Sequence, residues 1–377
     1  MSSILDLDSF VLISHVSNLN THISILHSRM IIYTYPIATA FTDRDIEMLR
    51  PYQPIKALPF TNDPIKLPFH FILQFFQLLL FLPRTSKYLC FFAGYHSVLP
   101  VVFGKLFGIK VFIQSGGTDA MNMPEINYGN FRKKWLGKAT VYSFKNCSMI
   151  LPVAEALVQS DYTYDPRIDR RQGLKNLIPD LKTPIRVVHN GFNAGFWVDE
   201  EKPKQSFSFI TVAVGITQAN RAAVKGIDLI LDMASRFPNY AFTLVGDPYF
   251  RSELPNVKVM GKLTPVLLKE EFNRHQFYLQ LSTSEGFPNA LAEAMLCGCI
   301  PIGSAVGAIP EIIGDTGFLL QQKDPEQLRQ MFLQLTKEDL THLRTAAPQR
   351  IQRHFSYEKR QKALLAILSD EKQPRGI

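Results

Sequence analysis

Two carboxylates, Glu285 and Glu293, stand in the stretch Ser282-Thr-Ser-Glu285-Gly-Phe-Pro-Asn-Ala-Leu-Ala-Glu293, astride a Gly-Phe-Pro-Asn turn. Pro288 suits the first position of a helix, where its missing N–H costs nothing. Ala290–Cys297 is a good helix-forming run, and Gly298 is placed to end it. The spacing predicts a helix that starts with free backbone N–H groups and a positive dipole end, a ready seat for a phosphate. Glu285 precedes that seat and Glu293 lies about two turns along it. A ligand touching all three must be long, with a hydroxyl-bearing group at each end and phosphates between. That describes a nucleotide sugar. Taken alone, the spacing equally suits two solvated carboxylates on a surface helix.

A second cluster carries positive charge. Thr211-Val-Ala-Val-Gly-Ile216 reads as a strand ending at Gly215, and a polar loop then leads to Arg221 and Lys225-Gly226 near the entry of a helix. A Lys followed by Gly can meet a phosphate without steric interference. Two solvated cations are the other reading, although the helix dipole makes a helix start mildly unfavourable for them. In the first half, Ser115-Gly-Gly-Thr-Asp119 follows another predicted strand. Its glycines permit unusual backbone angles or close approach of a ligand, and Asp119 is the nearest polar candidate. A glycine turn with an Asp helix cap is the competing account. His96 also follows a strand, but a lone His is more often structural. Arg132-Lys-Lys134, Lys138 and Lys145 form a basic run that is either a solvated helix face or a contact with an acidic acceptor or anionic lipid.

The full string Ser-x-x-Glu-Gly-Phe-Pro-Asn-x-x-x-Glu-Ala-Met-x-x-Gly resembles the Glu-x7-Glu motif of the retaining GT-B glycosyltransferases of the family 4 type. Arg221 and Lys225 resemble that family's Arg/Lys pair, which neutralises the donor diphosphate, although the common pattern has the Arg directly after the strand's glycine, where Ile216 stands here. The resemblance implies that Glu293 accepts hydrogen bonds from ribose hydroxyls and Glu285 approaches the donor sugar. It implies that Val259 and Leu263 lie near the base, and that Gly215, Gly286, Phe287, Pro288 and Asn289 shape the sugar–phosphate pocket. Relatives usually place a His against the sugar where Asp119 stands. The expected catalytic set is therefore Glu285, Lys225, Arg221 and Asp119, with no cofactor beyond the donor substrate and no metal. The activity implied is transfer of a sugar from a nucleotide diphosphate donor to a hydroxyl acceptor, a glycan or lipid-linked glycan. A nucleotide-sugar epimerase on a similar scaffold and a non-catalytic nucleotide-sugar-binding subunit remain alternatives.

These residues need strand ends to carry them. Strand and helix patterns alternate from Arg29, which predicts α/β architecture with parallel sheets. Ligands in such sheets bind outside the carboxyl ends of the strands, and Gly116, Gly215 and Glu285 all fall just after predicted strands. The fold expected is GT-B, two doubly wound Rossmann-like domains facing a central cleft. The boundaries expected are an atypical extension over 1–28, an acceptor-side domain over 29–198, a polar linker over 199–206, a donor-binding domain over 207–355, and a closing helix within 356–377.

The 377 residues suffice for two domains, and 46% hydrophobic with 20% charged content fits a globular chain. A net charge of +8 permits an anionic substrate or membrane surface without demanding nucleic acid. Four scattered cysteines read as buried apolar residues in a reducing compartment. No window reaches the ~18–20 uninterrupted apolar residues of a bilayer span. Phe69–Leu82 comes nearest, with one polar stripe of His70, Gln74 and Gln77. It reads either as a helix buried between sheet and neighbours or as one that dips into a membrane interface, flanked by Lys66, Arg84 and Lys87. The location expected is cytoplasmic, peripheral on the inner face of the cell membrane.

Overall fold

The computed structural model describes residues 29–336 and 339–369. The extension expected over 1–28 lies outside them, as do 337–338 and 370–377. Strands β1 (Met30–Tyr35), β2 (Ile55–Pro59), β3 (Thr85–Phe91), β4 (Lys110–Ser115) and β5 (Met149–Pro152) form a five-stranded sheet in the order β2-β1-β3-β4-β5. A short antiparallel pair, β6 (Ser160–Asp161) and β7 (Arg171–Gln172), follows. Strands β8 (Gln205–Val212), β9 (Ala241–Val245), β10 (Val257–Met260), β11 (His275–Gln280), β12 (Ile300–Ser304) and β13 (Phe318–Leu320) form a six-stranded sheet in the order β10-β9-β8-β11-β12-β13. Both large sheets are parallel, as helical crossovers between successive strands require. The second reverses its winding between β8 and β11, the kind of position where doubly wound sheets bind ligands.

By compactness the chain divides into residues up to Phe91 with His96–Phe112, and Phe92–Tyr95 with Ile113 onward. The polar segment 199–206 is fastened within the second unit. Arg344 forks onto Asp199 at 2.6 and 2.7 Å, and Lys204 donates to the carbonyls of Phe272 and Cys297, each at 2.8 Å.

The second unit's core explains its register. Phe209 on β8 pairs in register with Phe242 on β9 and with Phe277 on β11, so three rings share one face of the sheet. The Phe209 ring stacks on those two at 5.1 and 4.9 Å, and Phe332 from the helix Pro325–Gln334 closes over it at 4.7 Å. A slip of one residue would turn all three strand rings to the opposite face. All four cysteines are buried thiols outside any disulfide. The apolar run Ile185–Val188 forms no strand and contributes only an isolated bridge between Ile150 and Ile185. Pro152, opposite it, has no N–H to continue the ladder.

In the first unit, the helix Leu67–Phe81 is packed the opposite way from a buried amphipathic helix. Gln74 is 2% exposed, and its amide donates to the His96 carbonyl at 2.9 Å and to Thr34 Oγ1 at 3.3 Å. The sheet side offers polar partners, so the polar residue turns inward and the apolar face turns out. Phe69, Ile72, Phe76, Leu79 and Leu80 are all exposed. The eighteen residues Leu67–Arg84, although interrupted by His70, Gln74 and Gln77, have mean hydropathy 1.3 and are long and apolar enough to cross a membrane by length and composition. His96 is buried against the Phe91 carbonyl at 2.9 Å, a structural role.

Candidate donor site

Glu285 follows β11, and its Oε1 collects three donors. Lys225 Nζ hydrogen-bonds it directly, Ser282 Oγ lies at 3.1 Å and Gln280 Nε2 at 3.2 Å. The Gln280 amide also donates to Ser282 Oγ at 2.8 Å, so the side chains at the end of β11 hold one another in place. The Glu285 side chain is 13% exposed and that of Lys225 30%. A charge-assisted bond so shielded is stronger than its surface counterpart.

Lys225 reaches Glu285 because β8 and β11 are neighbours and a short helix, Ala219–Lys225, follows β8. Lys225 therefore ends a helix rather than entering one, and the dipole there favours a cation. Gly226 has φ +66°, closing that helix and opening the next, Ile227–Arg236. A Cβ on Gly226 would also overlap the Leu281 carbonyl oxygen. Thr283 completes the joint, donating its N–H to Val224 O at 2.8 Å and its hydroxyl to Ala223 O at 3.0 Å. Arg221 is exposed on the same helix, and its side chain folds over Gly215. A Cβ on Gly215 would sit 3.0 Å from Arg221 Cδ and 3.1 Å from Nη1. A helical turn thus returns Arg221 to the strand-end glycine from which it is separated in sequence. Asp247 holds the intervening loop, accepting the N–H and hydroxyl of Thr217 at 2.8 Å each. The Thr217 backbone bond keeps its carboxyl below the usual range.

The motif helix runs Asn289–Leu296, with Pro288 as the residue before it, and no side chain caps its start. Its first-turn N–H groups have no side-chain acceptor, the condition for seating an anion. Glu293 is 7% exposed on this helix. Phe287 is 7% exposed, and its ring packs on Phe355 at 5.3 Å and Phe192 at 5.9 Å. It anchors the turn, leaving the backbone as the part that meets a ligand. Asn289 Oδ1 accepts from Asn190 Nδ2 at 2.8 Å. Arg360, from the helix Tyr357–Leu368, in turn bonds the carbonyls of Val188 and His189 at 3.2 and 2.9 Å.

Gly286 touches the loop after β4 so closely that a Cβ would overlap the Gly116 carbonyl oxygen. Its own carbonyl accepts the Ala308 N–H at 3.0 Å, so the Glu285–Gly286 turn is gripped from two sides. Asp119, expected to face the sugar, instead turns into its own loop. It is wholly buried and accepts from Ala93 N and Ser115 Oγ at 3.0 Å, Gly116 N at 3.2 Å and Gly117 N at 3.3 Å. Burial raises its pKa to about 6 against the lowering effect of those donors. Tyr128 lies beside Gly117, its hydroxyl 3.4 Å from where a Cβ would stand. Burial and the charges of Glu285 and Asp119 push its pKa up, so it stays a phenol. Val259 and Leu263 are half-buried at β10 and the turn after it, two strands away from β8.

Sequence reasoning grouped Glu285, Lys225, Arg221 and Gly215; the structure pairs Lys225 with Glu285 and sets Arg221 over Gly215. It gave no role to Gln280, Thr283 or Asp247, which brace Glu285, the Lys225 helix and the loop before Arg221. A polar residue at the very end of an apolar strand, as Gln280 is, was the available signal. Among the described residues no group of three or more His, Cys, Asp or Glu side chains is placed to hold a metal.

A parallel α/β fold with charged side chains gathered at a switch point places them where doubly wound sheets bind ligands. Residues 210–338 match the glycosyl transferases group 1 family, and the fold is that of the GT-B glycosyltransferase structures. HepE of Anabaena, solved in complex with UDP, superimposes with a TM-score of 0.66 at 14% identity, covering 90% of this chain and 99% of that one. Trehalose synthase of Pyrococcus horikoshii is 29% identical over 271 residues, 66% of this chain and 61% of its own length. N-acetyl-alpha-D-glucosaminyl L-malate synthase of Bacillus anthracis is 44% identical over 66 residues, 17% of each chain. The matches thus span less than two thirds of these curated relatives.

Proposed function

We propose that this protein is a retaining glycosyltransferase that moves a sugar from a UDP-sugar to a hydroxyl acceptor in glycan or lipid-linked glycan assembly, working peripherally on the cytoplasmic face of a membrane. The observation that carries the reading is the meeting of Lys225 and Glu285 at the β8–β11 switch point, with Arg221 over Gly215 and an uncapped helix start following. Each part suits one portion of the donor. The helix start and the two cations meet the diphosphate, Glu285 meets the sugar, and Glu293 meets the ribose. Charge that grows on the departing diphosphate falls among groups already oriented, which lowers the barrier without reorganisation. That charge is met by Arg221, Lys225 and backbone N–H groups in the place of a metal ion, and the diphosphate itself takes the acceptor proton. UDP is favoured because HepE is solved with it. The outward apolar face of Leu67–Phe81 supports the membrane contact.

The test is calorimetric titration with UDP, GDP, ADP and their common sugar conjugates, wild type beside Glu293→Ala. Tight binding of UDP or a UDP-sugar, weakened in the variant, is expected. Binding of none of them by the wild type overturns the donor assignment, and donor binding without turnover across varied acceptors overturns the transferase.

A further inference from the structure

One exposed helix in the second unit is unused by the donor site. Lys134–Asn146 carries Trp135, Lys138, Tyr142 and Lys145 at successive intervals of three and four, which places all four on one face. Trp135 is 69% exposed and Tyr142 37%. The Lys138 ammonium lies over the Trp135 ring at 5.0 Å. Among the described residues Arg132, Lys133, Lys134 and Lys138 have no acidic partner, and the chain has no Asp or Glu from 126 to 154. Lys145 alone is neutralised, by Asp180 at 2.5 Å. A solvated helix has no need of an exposed Trp and Tyr among its lysines. Amphipathic rings beside ammonium groups match the headgroup layer of a bilayer, where rings sit at the boundary and cations meet lipid phosphates.

We infer that the Lys134–Asn146 face, with Arg132 and Lys133 before it, docks on anionic lipid headgroups and makes membrane binding selective for negative charge. This rests on the membrane reading above but assigns it a second surface and a different recognition chemistry. The apolar Leu67–Phe81 face has little charge of its own with which to distinguish lipids. Four unpaired cations near an anionic surface do distinguish them. An acidic polysaccharide is the rival occupant of the same face.

The experiment is vesicle co-sedimentation of the full chain, with pure phosphatidylcholine and with phosphatidylcholine containing a third phosphatidylglycerol. Wild type is compared with a Trp135→Ala, Lys134→Gln, Lys138→Gln variant and with a Phe76→Gln, Leu80→Gln variant. Wild type should bind the anionic vesicles at least tenfold more tightly than the neutral ones. The first variant should lose most of that preference while retaining its neutral-vesicle and UDP binding; the second should lose binding to both vesicles. Equal wild-type binding to the two vesicles, or an undiminished preference in the first variant, overturns the inference and leaves the Leu67–Phe81 contact standing. Wild-type indifference to both overturns the membrane reading as a whole. Soluble polyanionic glycan that displaces the protein equally well from neutral and anionic vesicles also overturns it, in favour of the rival.

Discussion

Lys225 and Glu285 are paired across the carboxyl ends of β8 and β11, so each holds the other before any ligand arrives. A diphosphate that draws on Lys225 must share it with Glu285, whose carboxylate keeps Ser282 and Gln280 as its other donors. Lys225→Ala should therefore cost about 1.5–3 kcal/mol of nucleotide diphosphate binding, the usual scale for a hydrogen bond involving charge. Titration with UDP checks it, and unchanged affinity removes Lys225 from the site.

Asp119 yields a pH signature. Its carboxyl holds a proton to about pH 6 in the folded chain, against 3.8 as the ordinary value. Between those pH values the folded state binds more protons than the unfolded one. Its contribution to stability is complete below about pH 4 and is lost as pH rises to 6, by up to about 3 kcal/mol. The stability difference between wild type and Asp119→Asn should fall across that window and level off above it. Denaturant melts from pH 4 to pH 7 measure it, and a flat difference would remove the raised pKa.

Arg360 ties the carbonyls of Val188 and His189, and lies 3.4 Å from Asn190 Oδ1, on the residue whose amide bonds Asn289. Arg360→Met keeps the bulk and leaves buried acceptors unpaired. It should destabilise the chain by about 1–3 kcal/mol and weaken UDP binding in the folded fraction. Melts paired with titration separate the two effects. Loss of stability with full affinity would show that the clasp does not reach the helix start.

Phe76 and Leu80 are 61% and 73% exposed on the apolar helix. Replacing both with Gln should release the protein from vesicles and leave its melting temperature and UDP affinity where they were. A fall in melting temperature instead would mean that the face is covered by another part of the protein.

The alternation of strands and helices made the architecture legible, and the string around Glu285 located the site, because both are local patterns. Arg221 was legible as a charge but not as a neighbour of Gly215, since the helix Ala219–Lys225 that returns it lay in a stretch read as loop. Ala219, Ala222 and Ala223 were the signal for that helix. The inward turn of Asp119 depends on four donors converging from Ala93 and the Ser115–Gly117 loop, and no local pattern announces it. The inward turn of Gln74 was not legible for a related reason: its partners, Thr34 and the His96 carbonyl, come from distant parts of the chain.

The Arg360 clasp also has a consequence in time. Translation delivers Glu285 and Glu293 well before residue 360, and domains generally begin to fold while later segments are still being made. The motif helix can form on the emerging chain, yet its lock on the Asn190 turn waits for the helix Tyr357–Leu368. A nascent chain would therefore carry every donor-facing side chain and still lack the fastening that fixes their geometry. The site is fastened only after residue 360 has been made, and a product truncated before Arg360 would be expected to handle donor poorly despite an intact motif.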